Sequence, residues 1–95
     1  MKKTFPLQAP GKNDARVRDK IRHEVNLYVG RERRKELPEG CDGLEFNCKV
    51  GASQENAATR LLKEVGGAID AVAQTGATQV YIEIISAPTT RKFPA

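Results

Sequence analysis

Val17, Ile21, Val25 and Tyr28 recur at steps of four and three, and almost everything between them is charged or polar. That spacing predicts an amphipathic helix with one apolar stripe, and it obliges the rest of the chain to supply a surface for the stripe to bury against. Pro10-Gly11 marks a turn ahead of it. Asn13 or Asp14 can then cap the first turn, a side-chain oxygen accepting from free backbone amides. Gly30 costs about 1 kcal/mol relative to Ala inside such a helix. The run Arg31-Glu32-Arg33-Arg34-Lys35 suits the negative end of the helix dipole. The helix should stop near Glu36-Leu37, because Pro38 disfavours helical geometry in the residue before it, and Pro38-Glu39-Gly40 reads as a turn.

The partner surface is legible as strands. Leu44, Phe46, Cys48 and Val50 alternate with Glu45, Asn47 and Lys49, a period of two that predicts a half-buried strand closed by Gly51. Gln79 to Ile85 predicts the last strand, with Val80, Ile82 and Ile84 inward and Tyr81, Glu83 and Ile85 on the other face. Thr4-Phe5-Pro6-Leu7 reads as a short first strand at a sheet edge, because Pro6 has no backbone donor. The segment Ser53 to Thr75 reads two ways. As one long helix it carries Ala58, Leu61, Leu62, Val65, Ile69 and Val72 on its apolar side, but Gly66-Gly67 costs roughly 2 kcal/mol within it. As a short strand at 58–62 and a helix from about Lys63 to Thr75 stopped by Gly76 it avoids most of that penalty, and this reading is favoured. The tail from about residue 87 to 95 reads as frayed.

With 95 residues, 39% apolar and 29% charged, the chain is sized for one domain with a modest core. With no Trp, two Tyr and three Phe, that core must be mostly aliphatic. The apolar part of Met1-Lys2-Lys3-Thr4-Phe5-Pro6-Leu7 is too short for a signal peptide, and no stretch approaches a membrane span, so the expected location is the cytoplasm. Cys41 and Cys48 are the only cysteines, and a C-x6-C pair with the lone His23 lacks the four ligands of a structural zinc site. Free thiols and no metal or other cofactor are expected.

Certain segments taken together are distinctive: Met1-Lys2-Lys3-Thr4-Phe5-Pro6-Leu7, Arg31-Glu32-Arg33-Arg34-Lys35 running into Leu37-Pro38-Glu39-Gly40, and Phe46-Asn47-Cys48-Lys49 followed by Gly51. With Ala68-Ile69-Asp70-Ala71 and Tyr81-Ile82-Glu83-Ile84 they span most of the chain. In these the chain resembles a family of short bacterial proteins catalogued as a domain of unknown function. The resemblance implies a β-rich stretch at Ala58 to Leu62. Family members tend to have an aromatic near Gly43-Leu44, which this chain lacks. No functional residue is implied. The element order is then β-α-β-β-α-β, which predicts an α+β, ferredoxin-like two-layer sandwich with two helices on one face of a mostly antiparallel sheet. That fold hosts many functions and selects none.

Charge is the remaining signal. Residues 1–35 hold eleven Lys/Arg against four Asp/Glu, and residues 36–95 hold five against eight, so a basic first part of net +7 adjoins an acidic remainder of net −3. At about 100° per residue, with Val17 inward, Arg16, Lys20, His23, Arg31 and Arg34 share one helix flank and Arg18, Arg22 and Arg33 the other. Arg16, Lys20, Arg31, Arg33, Arg34 and Lys35 are the candidate anion-binding residues, with nucleic acid or an acidic protein as partner. Interspersed Asp14, Asp19, Glu24 and Glu32 fit the plainer reading of a solvated face. On the open sheet face Lys49, Tyr81 and Ile85 are the candidate contacts, either for stacking an unpaired base or for a homodimer. Glu45 and Glu83 on that face oppose phosphate. A nucleophile built from His23 and a cysteine has no further support in the sequence. The expectation is a non-enzymatic binding module, the alternative a self-associating structural or regulatory protein.

Overall fold

The computed structural model describes residues 1–90. β1 (Lys2–Pro6), α1 (Asp14–Arg34), β2 (Gly43–Gly51) and β3 (Ala58–Arg60) are followed by a 3₁₀ turn (Leu62–Glu64), α2 (Val65–Gln74) and β4 (Gln79–Thr89). The α+β sandwich with β-α-β-β-α-β order is therefore observed, and the sheet is wholly antiparallel in the order β1-β4-β2-β3. The closing strand lies inside the sheet and the first strand at its edge.

Ladder geometry explains where the two strand prolines sit. Ile84 and Met1 exchange backbone hydrogen bonds, Ile84 N to Met1 O at 2.7 Å and Met1 N to Ile84 O at 2.6 Å, and Leu7 N donates to Thr78 O at 2.9 Å. By the two-residue alternation of an antiparallel ladder, Lys3 and Phe5 also bond toward β4 while Lys2, Thr4 and Pro6 turn their backbone groups outward. The missing donor of Pro6 thus falls on the free edge. Pro88 pairs with Leu44 beyond the end of β1, so its missing donor likewise faces a side with no partner strand. β4 accordingly runs to Thr89, through residues 87–89 that the sequence assigned to the tail. Residues 91–95 of that expected tail lie outside the described residues.

Both helices cover the face carrying Phe5, Cys48, Val50, Val80, Ile82 and Ile84. Asn13 is the N-cap of α1, its Oδ1 accepting from Ala15 N at 2.8 Å. The buried stripe is Val17, Ile21, Val25 and Val29. Tyr28, expected to complete the stripe, lies at its margin, half-buried. There its hydroxyl accepts from Met1 N at 3.1 Å and lies 3.3 Å from Ile84 O. A phenol needs a polar partner for its hydroxyl, which the apolar centre of the stripe does not offer. The helix stops at Arg34, since Lys35 is already extended, with ψ 144°. The strand-then-helix reading of 58–75 holds: β3 is short, Glu64 Oε1 accepts from Leu61 N at 2.8 Å, and α2 ends before Gly76 at φ +84°. Cys48 is in the core, where burial raises its thiol pKa, and Cys41 is half-buried in the turn before β2.

Gly51 closes β2 for a steric reason. A Cβ there would lie 2.6 Å from the Ala57 Cα, because the 52–57 loop turns straight back against the strand end. Gly67, in the first turn of α2, has nothing within 4 Å of such a Cβ. Urea unfolding should therefore separate two glycine-to-alanine changes in sign. Gly51→Ala is expected to lose about 2 kcal/mol through overpacking against backbone, and Gly67→Ala to gain up to about 1 kcal/mol from helix propensity.

Candidate anion-binding surface

Helical phase divides the cations of α1 into two sets. Arg18 and Arg22 face α2, where Arg18 Nε lies 3.1 Å from Asp70 Oδ1 and Arg22 Nη2 bonds the same oxygen. Arg22 Nη1 also donates to Asp19 Oδ1 at 2.9 Å. Gly66 lies beside this contact, where a Cβ would meet Arg22 Nε at an ordinary van der Waals distance of 3.6 Å. These two arginines latch the helices together.

The basic end of α1 is internally engaged as well. Glu32 Oε2 meets Lys35 Nζ at 2.5 Å, while Glu32 Oε1 accepts from Ser86 Oγ of β4 at 2.8 Å. The Lys35 ammonium first, then the Ser86 hydroxyl, hold the Glu32 carboxyl below its ordinary range, and Glu32 in turn raises Lys35. Burial first, then the Glu32 charge, raises the nearby Tyr28 phenol. The Arg33 guanidinium lies over the Phe46 ring, 5.5 Å from its centroid. Six residues were expected to act as one group, and the structure does not bring them together: Arg33 and Lys35 are committed to contacts within the chain.

Arg16, Lys20, Arg31 and Arg34 remain, all exposed on one flank and with no ion pair within 4 Å among the described residues. They span about 27 Å of helix at 1.5 Å per residue. His23 is exposed, and Leu27, 52% exposed, lies among these cations. The flank overlooks edge strand β1 and forms one wall of a cleft to which Lys3 and Lys12 also contribute. The sequence reading did not select either lysine. Lys3 was recoverable, because it is two residues from inward-facing Phe5 and so shares its side of the strand. Lys12 is in a loop, where no periodicity assigns a direction.

The open sheet face is corrected at one residue. Tyr81 does belong to that face, beside Thr4 and Gly51 in the register, but it is only 5% exposed and its hydroxyl donates to Glu83 Oε1 at 2.8 Å. The 52–57 loop turns back at Gly51 on the same face, so the ring offers no stacking platform. Burial first, then Glu83, raises its phenol pKa. Lys49 stays exposed, opposite Glu83 in the cross-strand row, and Ile85 is 39% exposed. His23 points to solvent while Cys48 is enclosed in the core, so these two do not meet. No helix among the described residues is long and apolar enough to cross a membrane.

The chain belongs to a family of unknown function, DUF6172, which matches residues 1–94. Searches of curated proteins and of solved structures returned no match.

The Glu32 contacts carry a pH signature. A carboxylate with a lowered folded pKa stabilises the fold above its unfolded pKa of about 4.3, and that contribution disappears as pH falls through the folded value. Thermal melts of the protein and of Glu32→Gln should therefore differ most at neutral pH, with the wild type higher. The gap should close progressively below about pH 4.

Proposed function

We propose that this protein is a non-enzymatic binding module whose α1 outer flank takes an anionic partner, with nucleic acid as the first candidate. The observation that carries this reading is that Arg16, Lys20, Arg31 and Arg34 have no ion-pair partner among the described residues, while the other α1 arginines and Lys35 are engaged. A row of free cations along a rigid helix matches a polyanion, whose affinity derives largely from counterion release. An acidic protein surface offers the same charge with less density.

Self-association through the open sheet face has weaker support. With Tyr81 buried, Ile85 and Leu61, the residue just past the end of β3, are the exposed large apolar side chains near that face among the described residues, and two such side chains among Lys49, Glu83 and Glu45 do not make an interface core.

Titration into labelled single-stranded RNA, single-stranded DNA and duplex DNA tests the reading. Four phosphate contacts predict roughly a hundredfold loss of affinity between about 50 and 200 mM salt. Charge reversal at Arg31 and Arg34 should flatten that dependence and abolish most of the binding. Absence of binding at the lower salt excludes nucleic acid as the partner, and binding indifferent to the reversal excludes the α1 flank as the surface that takes it.

A further inference from the structure

Between β1 and the N-terminal half of α1 lies a cleft of about 620 Å³. This is within the size range of small-molecule sites. Its floor is apolar, made by Phe5, Val17 and Ile21, with Pro6 and Ala9 at the side. Its rim is cationic, carrying Lys3, Lys12, Arg16 and Lys20 against the single carboxylate Glu24. Glu24 faces Lys3, whose Nζ lies 3.9 Å from the carboxylate and 4.8 Å from the centroid of the Phe5 ring. Lys12, Arg16 and Lys20 are left with no ion pair among the described residues around an apolar floor. Past the Lys3–Glu24 pair a second hollow of about 230 Å³ continues along the helix to Leu27 and Arg31.

We infer that this cleft is a binding site for a small amphipathic anion, a carboxylate or phosphate monoester carrying an apolar chain. Charge complementarity fixes the head, since Lys12, Arg16 and Lys20 all line the cleft and none has an ion-pair partner within 4 Å among the described residues. The floor fixes the body, because a chain laid over the already buried Phe5, Val17 and Ile21 takes its own apolar surface out of water. The Lys3–Glu24 pair stands where the two hollows join, so a longer chain must pass beneath it to reach Leu27. This site is separable from the polyanion reading: Lys12 is off the helix flank, and Arg34 does not line the cleft.

Titration of the ¹⁵N-labelled protein with decanoate, followed by amide chemical shifts, tests the inference. Saturable shifts are expected at Phe5, Gly11, Lys12, Val17 and Ile21. Octanoate should bind about tenfold more weakly, as two buried methylenes are lost. Acetate and decan-1-ol, each lacking one half of the ligand, should bind at least tenfold more weakly than decanoate. Decyl phosphate binding more tightly than decanoate assigns a phosphate head, and the reverse order a carboxylate, each within the inferred class. Lys12→Glu should weaken decanoate at least fivefold while Arg34→Glu leaves it unchanged. Decan-1-ol matching decanoate, acetate matching decanoate, or no saturable shift at millimolar ligand each overturns the proposal.

Discussion

Burial of β4 is the constraint on which the rest of the structure depends. Val80, Ile82 and Ile84 are wholly enclosed, and the strand pairs with β1 on one side and β2 on the other. Its apolar face meets the stripes of both helices, and α1 is held there by this packing together with the contacts of Arg18 and Arg22 to Asp70 of α2. β4 also supplies Ser86 and the Ile84 carbonyl, the two groups that fix Glu32 and Tyr28 near the end of α1. Because β1 pairs with a strand nearly 80 residues away, most of the sheet is held by non-local contacts, which are slow to form and cooperative once made.

With α1 fixed in this way, helical phase alone decides what each of its cations does. Residues turned toward α2 or toward the sheet find Asp70, Phe46 or a carboxylate one turn away. Residues turned toward the β1 edge find none. A basic helix is thereby split into a structural half and an unengaged half without any change in composition. The edge position of β1 matters here, because the cleft lies between this last strand of the sheet and the free flank of α1. The same edge leaves outward backbone groups at Lys2 and Thr4, and Lys2 with Pro6 guards it against unwanted strand pairing.

Local pattern in the sequence made the elements legible, and for physical reasons it stopped there. The period of two in 44–50 and 79–85 and the spacing of Val17, Ile21 and Val25 report directly which side of each element faces the helices or the sheet, and those assignments hold except at the end of the stripe, where Val29 is buried in place of Tyr28. Turn chemistry at Pro10-Gly11, Pro38-Glu39-Gly40 and Gly76 also reads locally, with Gly11, Gly40 and Gly76 all at positive φ. The strand order is different, since it depends on partners far apart in the chain. Alternation placed Tyr81 on the open face correctly, but it contains nothing about the loop that turns back at Gly51. The candidate site suffered from the same limit: the stacking of Arg33 on Phe46 and the capture of Lys35 by a Glu32 already bound to Ser86 join helix to sheet. Counting charges grouped Arg33 and Lys35 with the unengaged cations at one end of the helix and left out Lys3 and Lys12, which line the cleft at the other.

The central claim is the division of α1 into engaged and free cations, and stability is its most direct readout. Urea unfolding at low ionic strength should be compared for the quadruple variant Arg16→Gln, Lys20→Gln, Arg31→Gln, Arg34→Gln and the double variant Arg18→Gln, Arg22→Gln. The account predicts that the quadruple variant matches or slightly exceeds the wild type, since it loses only mutual repulsion. The double variant should lose about 1–2 kcal/mol, because Asp70 is left without its partners. A quadruple variant destabilised as much as the double would contradict the account, for it would mean that the outer cations hold the fold together and are not free to bind.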